Sequence, residues 1–111
     1  MFTFAVRPGY HSKELLLEFR QGSGTDEMIV AMKSVLAVVN AKAAETTDLW
    51  QNDEIIYKMT SSIGEFDISS SNYGCIFILA PNNQDAIKKL GECFAGSDSF
   101  QQEVVDFSLY I

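Results

Sequence analysis

The stretch EIIYKMTSSIGEFDISSSNYGCIFIL, residues 54–79, carries three strand patterns in quick succession, and its reading decides the fold class. Glu54 to Thr60 alternates, with Ile55, Tyr57 and Met59 on one face. Glu65 to Ser69 alternates again, with Phe66 and Ile68 expected inward and Glu65, Asp67 and Ser69 outward. Asn72-Tyr73-Gly74 is a turn signal, because Asn and Gly tolerate the backbone angles a tight turn needs. Cys75 to Leu79 is apolar on both faces, the pattern of a central strand.

Toward the N-terminus, residues 45–53 read as an acidic connection that holds the only Trp, Trp50. Before it, Met28, Ile29, Met32, Val35, Leu36, Val39 and Ala43 recur at spacings of three and four, which predicts a helix from about Asp26 to Ala44. Thr25 or Ser23 can cap it, and Asp26 and Glu27 suit its positive end. Its back carries Val30, Ala37, Ala41 and Ala44 beside Lys33 and Ser34. That is either an Ala-rich solvent face, Ala being the best helix former, or a surface covered by another element or a second subunit, so a homodimer stays open.

Further back, Leu15, Leu17 and Phe19 share one face of an expected strand from Lys13 to Arg20. Arg7-Pro8-Gly9-Tyr10 is a turn that joins it to a first strand, Phe2 to Val6. Toward the C-terminus, Pro81-Asn82-Asn83 opens a second helix with Ala86, Ile87, Leu90, Cys93 and Phe94 inward, stopped by Gly96. Ser99 with Gln102 resembles a capping box and predicts one helical turn before a last strand, Val105 to Ile111. The expected order is ββαβββαβ. Residues 1–111 thus read as a single α+β domain, a two-layer sandwich of about six mostly antiparallel strands with two helices on one face.

Composition bounds what such a domain does. A chain of 111 residues, 47% apolar, buries roughly 65% of its unfolded surface and builds one core, so disorder is excluded as the main state. No apolar run approaches the ~18 residues of a membrane helix, and Met-Phe-Thr-Phe at the start lacks the features of a signal peptide, so a cytoplasmic location is expected. The net charge is -7 and unevenly spread: residues 45–111 hold three bases and eleven acids. That half repels a phosphate backbone and an anionic membrane, so neither nucleic acid nor membrane is an expected partner. An acidic field instead speeds encounter with a basic protein, or simply keeps a small domain soluble. Cys75 and Cys93 have neither zinc spacing nor the density of a disulfide scaffold and read as buried, reduced thiols.

Catalytic motifs are hard to assemble from these residues. His11 is the single histidine and sits in the first turn, where a solvated loop residue explains it better than a triad member or metal ligand. Gly22-Ser23-Gly24 precedes a helix, yet no Gly-Lys-Ser/Thr follows and Asp26 and Glu27 already occupy the positive end, so a nucleotide site is rejected. Asp67 to Gly74 lacks the acids of a calcium loop and reads as a hairpin turn. The pairs Glu14 with Glu18, Asp53 with Glu54, and Glu65 with Asp67 lie along solvent faces or in a connection, not across a cleft as glycosidase chemistry needs. No enzyme, cofactor or metal is expected.

The constellation that stands out is Asp48, Trp50, Asp53, Glu54, Glu65 and Asp67. If residues 54–69 form a hairpin, Glu65 and Asp67 share its outer face and Asp48 to Glu54 enters its open end. A Trp anchor flanked by carboxylates is the composition of an interface for a basic partner. The plain alternative is that Trp50 caps the core and the acids are ordinary surface. The expected function is a non-enzymatic protein-binding module that neutralises or regulates a basic protein, a toxin or nuclease among them. Small acidic immunity proteins have this size and charge logic, with no motif to carry over. The other readings are a small-ligand-binding or regulatory domain with a pocket between sheet and helices, and an enzyme without a visible signature.

Overall fold

The computed structural model describes residues 2–9, 14–20, 25–49, 54–71, 75–103 and 105. In chain order they form β1 (Phe2–Pro8), β2 (Leu15–Arg20), α1 (Thr25–Ala37), β3 (Lys42–Leu49), β4 (Glu54–Thr60), β5 (Phe66–Ser71), β6 (Cys75–Leu79), α2 (Gln84–Ala95) and β7 (Phe100–Glu103). The strands make one open sheet in the order β3-β4-β5-β6-β2-β1-β7. Every neighbouring pair is antiparallel except β1 with β7, which runs parallel. The α+β class and the mostly antiparallel sheet are as expected; the sheet has seven strands, not six.

The added strand is β3, which the spacing of apolar residues assigns to the helix and an acidic connection. The helix stops earlier because Asn40 adopts φ of 55°, the left-handed conformation that closes helices. Asn40 N donates to the Ala37 carbonyl at 3.1 Å and Ala41 N to the Leu36 carbonyl at 3.2 Å, satisfying carbonyls the helix leaves open. The chain then reverses and residues 42–49 pair with β4, with one irregularity between Ala43 and Glu45. Thr46 and Thr47 suit a strand through their branched side chains, whereas Ala41, Ala43 and Ala44 extend the helical pattern past its real end. A second correction lies near the C-terminus. Ser99 and Gln102 cap no helical turn; β7 starts at Phe100, and Val105 lies outside any regular element. The remainder of the expected last strand, 106–111, lies outside the described residues.

One core joins the layers. Cross-strand register aligns Phe4 with Phe19, Phe19 with Ile76 and Leu17 with Ile78, so these side chains share one face of the sheet. Met28, Met32, Val35 and Leu36 of α1 and Ile87, Leu90 and Phe94 of α2 pack in the same cluster, which places both helices on that face. Phe19 and Phe94 meet edge to face at 4.7 Å, and Phe94 meets Phe100 at 4.9 Å, geometries that add about 0.5–1.5 kcal/mol per pair beyond burial. Gly91 lets α2 approach closely, since a Cβ there would touch Val6 at 3.3 Å. On the back of α1 Val30 is exposed, as is Val38 in the turn that follows the helix. Cys93 is a free thiol, half-buried rather than buried, while the side chain of Cys75 lies outside those described.

The face opposite the helices carries the alternate residues. At its β1–β2 end the Arg7 guanidinium pairs with the Glu18 carboxylate, donates to the Pro8 carbonyl at 3.0 Å and lies over the Phe77 ring at 5.6 Å. Both charged side chains of this pair are largely buried.

Candidate functional site

The turn between β4 and β5 is held by three short-range bonds and anchored to both helices. Ser61 Oγ donates to the Gly64 carbonyl at 2.7 Å and accepts from Ile63 N at 3.2 Å. Gly64 N donates back to the Ser61 carbonyl at 3.2 Å, a closure that needs φ of 102° at Gly64. Ser62 donates from both N and Oγ to the Val39 carbonyl at the end of α1, at 2.8 and 2.9 Å. Asn83 flanks the start of α2 but makes no side-chain cap; its Nδ2 donates instead to the Ile63 and Glu65 carbonyls, at 3.0 and 3.3 Å. Neighbouring Gln84 clips α2 to β2, accepting from Leu15 N at 2.7 Å and donating to the Leu15 carbonyl at 3.2 Å.

Thr60 and Glu65, on either side of this anchored turn, line a groove of about 720 Å³ at the β3–β5 end of the face opposite the helices. Its charged lining is Glu45, Lys58, Glu65 and Asp67, with Thr60, Asn82 and Asn83 as uncharged polar neighbours. Register builds the row: Glu45 pairs with Lys58, and Lys58 pairs with Asp67. Glu65 lies just ahead of β5 and is exposed, as are Glu45 and Lys58, while Asp67 is half-buried. Three carboxylates thus face one ammonium in a single depression. Such a groove can accept the cationic side chain of a partner, with the Asn82 amide and the Asn83 Oδ1 acceptor at its edge, both Asn83 Nδ2 hydrogens being held by the turn.

Among the six residues singled out from the sequence, the structure brings Glu65 and Asp67 to this groove. Asp48 and Glu54 lie at the other end of the same strands, where Asp48 pairs with Ile55 and Glu54 with Leu49 and Ser71; only their backbones are described. Lys58 lies four positions after Glu54, about 13 Å along a strand, so Glu54 and the groove are distinct places on the sheet. Trp50 and Asp53 lie outside the described residues, as does His11. The sequence pattern hides Glu45, because residues 42–49 carry no strand period, and it assigns no binding role to Lys58, Asn82 or Asn83. The signal was available in Asn40, whose preference for left-handed backbone ends α1 and puts Glu45 in register with Lys58.

Among the described residues no group of three His, Cys, Asp or Glu side chains converges to hold a metal ion, and no helix is long and apolar enough to cross a membrane. Compared with known proteins, the chain matches no protein-family model, no curated protein and no solved structure.

Proposed function

We propose that this chain is a non-enzymatic acidic module that binds a basic protein and neutralises or regulates it, in the manner of a cytoplasmic immunity protein against a toxic nuclease. The observation that supports this reading is the groove whose lining holds three carboxylates, Glu45, Glu65 and Asp67, and one ammonium, Lys58. A Lys or Arg side chain entering it exchanges water for carboxylates already in place. The net charge of -7 adds long-range attraction, which raises association rates at low salt. Fold class adds nothing to this, because one α+β architecture serves many functions.

The test is capture of partners from the source cells at low salt by the tagged protein and by a Glu45→Lys/Asp67→Lys variant, with identification by mass spectrometry. One basic protein recovered in stoichiometric amount by the wild type and lost by the variant is the expected result. Recovery of the bait alone, or equal capture by both proteins, contradicts the proposal.

A further inference from the structure

A second cavity, of about 320 Å³, opens between α1 and the strands β3 to β6 on the helix side of the sheet, and it shares only Met59 with the acidic groove. Its walls are apolar: Ile29, Met32 and Leu36 of α1 face Met59, Ile68 and Ile76 of the sheet. Ile29, Tyr57, Met59 and Ile68 are only half-buried here, whereas Leu17, Ile78 and Leu90 elsewhere in the core are fully enclosed. Three polar side chains interrupt the lining, Lys33, Tyr57 and Ser70, and none has a hydrogen-bond or ion-pair partner among the described residues. Lys33 is exposed, and the positions one turn away on α1 are Ile29, Val30, Leu36 and Ala37, so no carboxylate on the helix offsets its charge. A free ammonium beside an apolar hollow, in a chain of net charge -7, is complementary to an apolar molecule that ends in an anion.

We propose that this cavity binds a small amphipathic carboxylic acid. The volume holds about ten heavy atoms at roughly 30 Å³ each, the size of a medium-chain or single-ring acid. The hydrocarbon body lies against Ile29, Leu36, Met59 and Ile68, and the carboxylate rests on Lys33 with the Tyr57 and Ser70 hydroxyls donating to it. The site is independent of the acidic groove, so the charge reversals at Glu45 and Asp67 leave it intact.

The test is calorimetric titration of the intact chain with octanoate, with octanol as the uncharged counterpart and acetate as the head group alone. Octanoate is expected to bind one to one, about tenfold tighter than octanol, while acetate gives no signal. Lys33→Met should bring octanoate down to the affinity of octanol. Ile68→Trp, which fills the cavity, should abolish both; if it fails to fold, Ser70→Phe obstructs the same space from its polar side. Equal affinity for octanoate and octanol, octanoate binding unchanged by Lys33→Met, binding that survives the filled cavity, or no binding at millimolar octanoate each overturns the proposal.

Discussion

Lys58 stands between two acids, paired with Glu45 on β3 and with Asp67 on β5. Opposite charges across neighbouring strands stabilise a sheet by about 0.2–1 kcal/mol, and like charges destabilise it. The lysine therefore offsets part of the charge of the two carboxylates on its neighbouring strands while leaving the groove acidic. Lys58→Gln should lower stability by about 0.2–1 kcal/mol in urea denaturation and speed association with a basic partner. A variant that associates more slowly would mean that the ammonium itself touches the partner.

The turn beside the groove makes a sharper demand. Gly64 has φ of 102°, and a Cβ there would run into the Asn83 amide. Gly64→Ala should cost about 1–3 kcal/mol through backbone strain and this clash. Asn83→Ala should cost about 1–2 kcal/mol by leaving the Ile63 and Glu65 carbonyls without their donor. Because the second change removes the group that the first collides with, the double variant should lose less than the sum. Strict additivity in a denaturation cycle would show that the two residues do not meet.

At the end of α1, Asn40 carries the left-handed conformation on which the start of β3 depends. Asn40→Gly should leave thermal stability within a few tenths of a kcal/mol, since Gly adopts this conformation freely. Asn40→Val should cost about 1–2 kcal/mol, because a branched Cβ crowds the following carbonyl there. Equal melting temperatures for the two variants would contradict the helix ending at this residue.

The buried pair of Arg7 with Glu18 predicts a contrast between single and double variants. Arg7→Met leaves the Glu18 carboxylate largely buried without its guanidinium and should cost about 3–5 kcal/mol. Arg7→Met with Glu18→Leu replaces both by apolar groups and should recover most of that loss. Urea denaturation of the three proteins separates an ion pair that maintains itself from one that the fold requires. A double variant as unstable as Arg7→Met alone would show that the cost comes from the lost Phe77 contact.

What the sequence made legible follows from how strongly each segment repeats. Residues 54–60 and 75–79 were readable as strands because they alternate or are wholly apolar, and they lie where expected. The second helix was readable because Ala86, Ile87, Leu90 and Phe94 keep one face, and all four are buried. β3 was hidden by its composition: Lys42-Ala-Ala-Glu-Thr-Thr has no apolar period, and as an edge strand it keeps residues 42–47 exposed. Its place depends on pairing with β4, a long-range contact that local pattern does not carry. The candidate site was half legible for the same reason. Glu65 and Asp67 belong to a visible strand pattern, whereas Glu45 joins them only once the unseen strand is laid in register.

Recognition of a basic protein by the acidic groove is read from the affinity of the captured partner as a function of salt. Between low and moderate ionic strength that affinity should fall about tenfold or more for the wild type. A much flatter dependence and weaker binding are expected for Glu45→Lys/Asp67→Lys, which sets three lysines side by side across β3, β4 and β5 and so melts lower, both proteins being compared below their melting transitions. Affinity independent of salt, or the same slope for both proteins, would contradict it.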